Sequence, residues 1–133
     1  MEIQKGLSYG HTFANAIEGL SEFKLRHGEA VALGMRISSY VSYEMGILKK
    51  ADLEIQERLL DIAKLPSRFP YFINPGRIIS HLKTDKMSTN SEINLVVLKK
   101  IGKYEVLKRV DEKLIKTILL KFQPLKEEGF GTA

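Results

Sequence analysis

His11 and His27 are the residues of this 133-residue chain whose type and placement point most directly to chemistry. Each stands at or near the start of a segment with helical periodicity, and only a short link separates the two segments. If those helices pack antiparallel or cross, both imidazoles enter one cleft, where two neutral rings suit a borderline divalent metal. A catalytic zinc site normally takes three protein ligands and keeps one position open. No third histidine lies nearby and the chain has no cysteine. The residues alone therefore leave two readings, half of a metal site or two capping or surface histidines. His81, beside a polar stretch, reads as a solvated surface residue.

His11, Asn15 and Glu18 follow one another at i, i+4 and i+7 and so share a helix stripe. That stripe is either the wet face of an amphipathic helix or a cleft wall. Asparagine is a mediocre helix former and gains little there without a hydrogen bond. Glu29 falls in the first turn of the next helix, where the dipole favours a carboxylate, and its position alone does not make it catalytic. Lys83, Asp85 and Lys86 form a charged cluster, readable as a solvated loop or as a phosphate clamp. The chain carries no GxGxxG, P-loop or GxSxG motif, so no nucleotide site is recognisable by pattern.

The elements that must position these residues are set by periodicity and breakers. Phe13, Ala16, Ile17 and Leu20 recur at helical spacing between Gly10 and about Leu20. His27–Met45 is the longest helical segment, stopped by Gly46. Its small residues Gly28, Ala30, Ala32 and Gly34 would let another helix or backbone approach closely. A third helix is expected from Asp52 to near Lys64, with Leu53, Ile55, Leu59, Leu60 and Ala63 on one broad apolar face. After Pro66 and Pro70, Asn74-Pro75 reads as an N-cap and first helical residue, opening a short helix to about Leu82. Ile93–Leu98 and Lys103–Leu107 flank Lys99–Gly102 as a β-hairpin. Asp111 caps a last helix through about Phe122, ended by Pro124. The expected class is mainly α, a helical bundle with one small β-hairpin, as a single domain over residues 1–125 with a frayed tail over 126–133.

Composition narrows the function classes. With 44% apolar and 28% charged residues the chain is of an ordinary globular type. Its size is enough to bury a core without staples. Twenty-one Lys+Arg against 16 Asp+Glu give a formal net charge of +5, but the basic residues are dispersed and aromatics make up only 8%. Phosphate-bearing partners are admitted and a nucleic-acid binder is not indicated. Without cysteine there is no disulfide or thiolate site. No apolar run is long enough to span a bilayer, and the first residues lack a signal-peptide core. The expected location is cytoplasmic.

Two stretches carry a family likeness. Gly10-His11-Thr12-Phe13-Ala14-Asn15-Ala16-Ile17-Glu18 resembles the GHTxGHAIE signature of 3-dehydroquinate synthases, and His27-Gly28-Glu29-Ala30-Val31-Ala32-Leu33-Gly34-Met35 resembles their HGEAVAxGM signature, at the family's separation. Asp85-Lys86 is similar to the start of the DKK element, and the Ile93–Leu98 strand with Ile101-Gly102 resembles the family's next segment. The likeness runs from about residue 2 to 120.

It implies the helical C-terminal domain of a sugar-phosphate cyclase, an enzyme of aromatic amino acid biosynthesis (the shikimate pathway). That enzyme converts the phosphorylated sugar acid DAHP to 3-dehydroquinate, using NAD transiently and releasing phosphate. It further implies His11 and His27 as ligands of a divalent metal, zinc or cobalt, with the third ligand, a glutamate, in sequence upstream of this chain. Lys86 is implied as a catalytic lysine, and Ser8 and Asn15 as substrate-binding positions. An NAD-binding domain or subunit is the expected partner and a homodimer an open possibility. The isolated chain is expected to be inactive and to hold no NAD.

Departures from the pattern fall on the substrate side. Asn15 replaces the second histidine of GHTxGHA, Ser8 the asparagine of LNxGH, Gln4 an arginine, and Met87 the second lysine of DKK. A neutral glutamine cannot offer a carboxylate or phosphate the charged fork of arginine. A cyclase acting on sedoheptulose 7-phosphate or a hexose phosphate, and a non-catalytic remnant or interaction module, therefore stand as alternatives. The metal-dependent alcohol dehydrogenases share the two-domain plan, but the paired histidine motifs favour the cyclases.

Overall fold

The structure is a computed structural model that describes residues 9–21, 24–84 and 92–125. Its elements are α1 (His11–Leu20), α2 (His27–Glu44), α3 (Lys50–Ile62), α4 (Pro75–Thr84), β1 (Leu95–Lys100), β2 (Lys103–Leu107) and α5 (Glu112–Lys121). The mainly α class with one hairpin is the one expected from periodicity.

The helix ends reflect local chemistry. Glu29 accepts the Arg26 backbone N–H at 2.9 Å, so its carboxylate serves the start of α2. That helix ends where Gly46, at φ +78°, takes the left-handed turn. There Ile47 N–H reaches the Ser42 carbonyl and Gly46 N–H that of Tyr43, the paired closure that favours glycine. The Asn74 side chain accepts from Gly76 N–H and that of Asp111 from Lys113 N–H, capping α4 and α5 as expected.

Two elements depart from expectation in their bounds. The third helix begins at Lys50 rather than Asp52, which instead occupies its first turn. The first strand runs over Leu95–Lys100 rather than Ile93–Leu98, so the turn is Ile101-Gly102, with an irregularity between Leu98 and Lys100.

Helix α2 is the central element. Phe13 and Ile17 of α1, Leu33, Ile37 and Val41 of α2, Ile78 of α4, Leu95 and Val97 of β1, and Ile115 and Ile118 of α5 share one fully buried core. A second cluster joins Tyr9, Leu48, Leu53, Val96 and Leu98. Strand β1 thus feeds alternate side chains to two clusters, as a strand buried on both faces must. Ser42 donates to the Leu98 carbonyl at 2.6 Å, tying the hairpin to α2.

The expected apolar face of α3 is split. Leu53 and Leu60 are buried with Gln56 between them, whereas Ile55 and Leu59 are 44% and 60% exposed. The helix is turned by a polar requirement. Gln56 is drawn inward to bond Tyr9 and Ser39.

Candidate functional site

His11 and His27 open α1 and α2, and the crossing of these helices brings their rings to a centroid separation of 5.8 Å, tilted by 55°. The crossing depends on Gly34. A Cβ built there would stand 2.1 Å from the Gly10 carbonyl oxygen and 3.2 Å from Ala14 N, so only glycine lets the backbone before His11 lie on α2. Gly10 itself holds φ +82° and leaves no room for a side chain against Met35. Gly28 has nothing within 4 Å of its Cβ position, so of the small residues in α2 it is not one that admits a neighbour.

Both imidazoles are oriented through Nδ1. His27 Nδ1 lies 3.1 Å from Glu18 Oε2, and His11 Nδ1 lies 3.3 Å from the Tyr9 carbonyl oxygen. A carbonyl or carboxylate oxygen only accepts, so each contact places a proton on Nδ1 and leaves the Nε2 lone pair available in the neutral ring. This is the arrangement in which histidine meets a metal, its other nitrogen donating to a carboxylate or carbonyl. The spacing also fits. Zn–N bonds of ~2.0–2.1 Å at a tetrahedral angle put two ring centroids about 5 Å apart. The site is open, with the His27 side chain 63% exposed and that of Glu18 19%.

Asn15 lies exposed one turn beyond His11. Glu18, third in the stripe, belongs to the site as the partner of His27. Among the described residues no three His, Cys, Asp or Glu side chains gather as a metal-binding group. Ser8 and Lys86, with Gln4, Asp85 and Met87, lie outside the described residues. His81 is exposed, as expected. A hollow of about 970 Å³ bounded by Tyr40, Arg68, Phe72 and Leu125 shares no residue with the histidine pair.

Three polar residues behind the site carry no recognisable sequence signature. The Tyr9 hydroxyl bonds Ser39 Oγ and Gln56 Oε1, both at 2.5 Å. Gln56 Nε2 donates to Ser39 Oγ at 2.7 Å. Burial raises the Tyr9 phenol well above its ordinary value, against the lowering effect of Ser39 and Gln56. A glutamine at the apolar phase of α3, three residues after Leu53, is the one local hint. Farther off, Arg36 is buried and pairs with Glu57 at 2.6 Å and Asp61 at 2.9 Å.

A family model for the 3-dehydroquinate synthase C-terminal domain matches residues 1–88. The 3-dehydroquinate synthase of Prochlorococcus marinus is 39% identical over 120 residues, covering 90% of this chain and 32% of that protein. That of Sulfurovum sp. is 31% identical over 122 residues, covering 91% and 35%. The chain thus spans about a third of the length of these relatives.

Among solved structures, 2-deoxy-scyllo-inosose synthase complexed with carbaglucose-6-phosphate, NAD+ and Co2+ superposes with a TM-score of 0.75 at 24% identity, over 86% of this chain and 34% of that one. The 2-epi-5-epi-valiolone synthase of Streptomyces hygroscopicus, with NAD+ and Zn2+ bound, gives 0.77 at 24%, over 87% and 32%. At that identity the two share a fold with this chain. The family match takes in both histidine motifs and the helices that carry them, and the chain belongs to the 3-dehydroquinate synthase C-terminal domain family.

Proposed function

We propose that this chain forms the metal-holding wall of the substrate cleft in a 3-dehydroquinate synthase-like cyclase, acting together with an NAD-binding domain or subunit. The observation that carries this reading is the histidine pair, 5.8 Å between ring centroids with each Nδ1 already bonded to an acceptor. His11 Nε2 and His27 Nε2 would supply two ligands to a zinc or cobalt ion, and a carboxylate from outside the chain a third. A bound divalent metal supplies Lewis-acid polarisation of substrate oxygens, and NAD accepts and returns a hydride.

The chain's own residues orient and bind. Glu18 keeps the His27 proton on Nδ1, and the Tyr9 carbonyl does the same for His11. The Asn15 amide, exposed beside His11, offers a neutral donor and acceptor to a substrate phosphate or hydroxyl. Lys86 would add a cation to the phosphate end, and Ser8 a hydroxyl.

A phosphorylated sugar acid, DAHP, is the substrate favoured by the curated relatives. The neutral Gln4 in place of an arginine carries the second reading, a substrate without a carboxylate such as sedoheptulose 7-phosphate or a hexose phosphate. Calorimetric titration of the chain with Zn2+ and Co2+, followed by phosphate-release assays after pairing with an NAD-binding domain, tests both. Saturable metal binding abolished by His11→Ala and by His27→Ala is expected, with phosphate released from one of these substrates. Metal binding indifferent to both substitutions would overturn the assignment, and no turnover of any of the three would leave an interaction module.

A further inference from the structure

We infer that Tyr9 is a positioning residue for His11, its buried hydroxyl fixing the backbone carbonyl that orients the imidazole. The inference rests on the reading of His11 as a metal ligand. Tyr9 is 5% exposed and its hydroxyl meets three partners from two elements, Ser39 Oγ and the Met35 carbonyl on α2 and Gln56 Oε1 on α3. One hydroxyl has one proton and two lone pairs. Gln56 Oε1 and the Met35 carbonyl only accept, so the proton goes toward them while Ser39 supplies its own. Gln56 Nε2 closes the cluster on Ser39 Oγ and, at 3.4 Å, on the Met35 carbonyl.

A network this complete in a dry interior holds one arrangement, because each alternative leaves a buried polar group unpaired. Two residues on stands His11. The intervening Gly10 packs its carbonyl against Gly34 so closely that a Cβ on Gly34 would fall 2.1 Å from it. The Tyr9 side chain and the Gly10 carbonyl therefore anchor the segment that carries the acceptor for His11 Nδ1. Apolar packing alone would hold the ring of Tyr9, through Leu53, Val96 and Leu98, and its tilted contact with Tyr104. The hydroxyl adds register: it fixes how far the Tyr9 carbonyl reaches toward α1.

The test uses the full 133-residue chain and its Tyr9→Phe variant, with long-range proton–nitrogen NMR of the histidine side chains and Zn2+ titration as readouts. The wild type should show His11 as a single Nδ1–H tautomer. In Tyr9→Phe, His11 should become a tautomer mixture while His27, held by Glu18, keeps its spectrum. Zn2+ affinity should fall about 3- to 10-fold, less than the roughly 10–100-fold typical when a group bonded directly to a ligand is removed. A dispersed, native-like amide spectrum with His11 unchanged overturns the inference. Should Tyr9→Phe fail to fold, Ser39→Ala, which deletes one partner and keeps the Tyr9–Gln56 bond, takes its place with the same two outcomes. Zn2+ bound by neither protein, with the tautomer change present, overturns the metal reading and upholds the positioning role.

Discussion

At the residue scale, what matters is which polar groups are free and which are committed. His11 and His27 each keep one nitrogen engaged and one available. Because His27 is solvent-facing and His11 only half-buried, His11→Ala and His27→Ala should each change unfolding free energy by no more than ~0.5 kcal/mol. Denaturant unfolding would check this, set beside the loss of metal binding expected in the calorimetric titration. Metal binding should also weaken in acid, since a protonated imidazole has no lone pair to give. Arg36 is the opposite case. It is buried, while its partners Glu57 and Asp61 are 21% and 63% exposed. Removing one member of a fully buried pair costs about 3–5 kcal/mol. Here Asp61 is mostly open to water and Glu57 partly so, and Arg36→Met should cost about 2–3 kcal/mol, read from the shift in denaturation midpoint.

At the element scale, the site is a product of how α1 crosses α2. The crossing has no slack at Gly34, so Gly34→Ala should destabilise by about 1–3 kcal/mol through overpacking and displace the Gly10–His11 backbone. Chemical-shift changes centred on His11 and Tyr9 would mark that displacement. A fold of unchanged stability would show that α1 can move off α2 freely. Helix α3 closes with the same pair of backbone bonds as α2, but with a lysine where α2 has Gly46. Lys64 occupies the left-handed turn at φ 62°, with Lys64 N–H on the Asp61 carbonyl and Leu65 N–H on that of Leu60. A side chain there is strained where glycine is not. Lys64→Gly should raise stability by about 0.5–1 kcal/mol, visible as a higher melting temperature.

At the scale of the whole molecule, the site lies on an open surface and the chain spans about a third of its relatives' length. The chain alone should release no phosphate from DAHP and should show no saturable NAD binding in calorimetry. Turnover or tight cofactor binding by the chain alone would contradict that. The interior also sets an alkaline limit. Tyr9 resists ionisation in the fold because of burial, whereas the unfolded chain ionises it near its ordinary 10.0. Above that pH the native state binds the extra proton, so stability falls as pH rises, with the full contribution present below pH 10.0. Tyr9→Phe should flatten this limb of a stability-against-pH curve.

The spacing of Phe13, Ala16 and Ile17, the Asn74 and Asp111 caps, the Gly46 stop and the alternation around Ile101-Gly102 determined the elements locally. Each rests on backbone geometry within a few residues, which a sequence displays. The two histidine motifs likewise identified the family, and the pairing of His11 with His27 was legible as one of two readings. What brings the two rings to 5.8 Å is tertiary contact. Glu18 meets His27 only because α1 and α2 cross at Gly34. The buried face of α3 departs from its apolar periodicity for a related reason. Periodicity ranks Ile55 and Leu59 above Gln56, but a buried tyrosine hydroxyl and a buried serine need an amide, and unpaired polar groups in a dry core cost more than two exposed aliphatic side chains. That demand comes from Tyr9 and Ser39, 47 and 17 residues away in sequence, and only the folded chain brings it to bear.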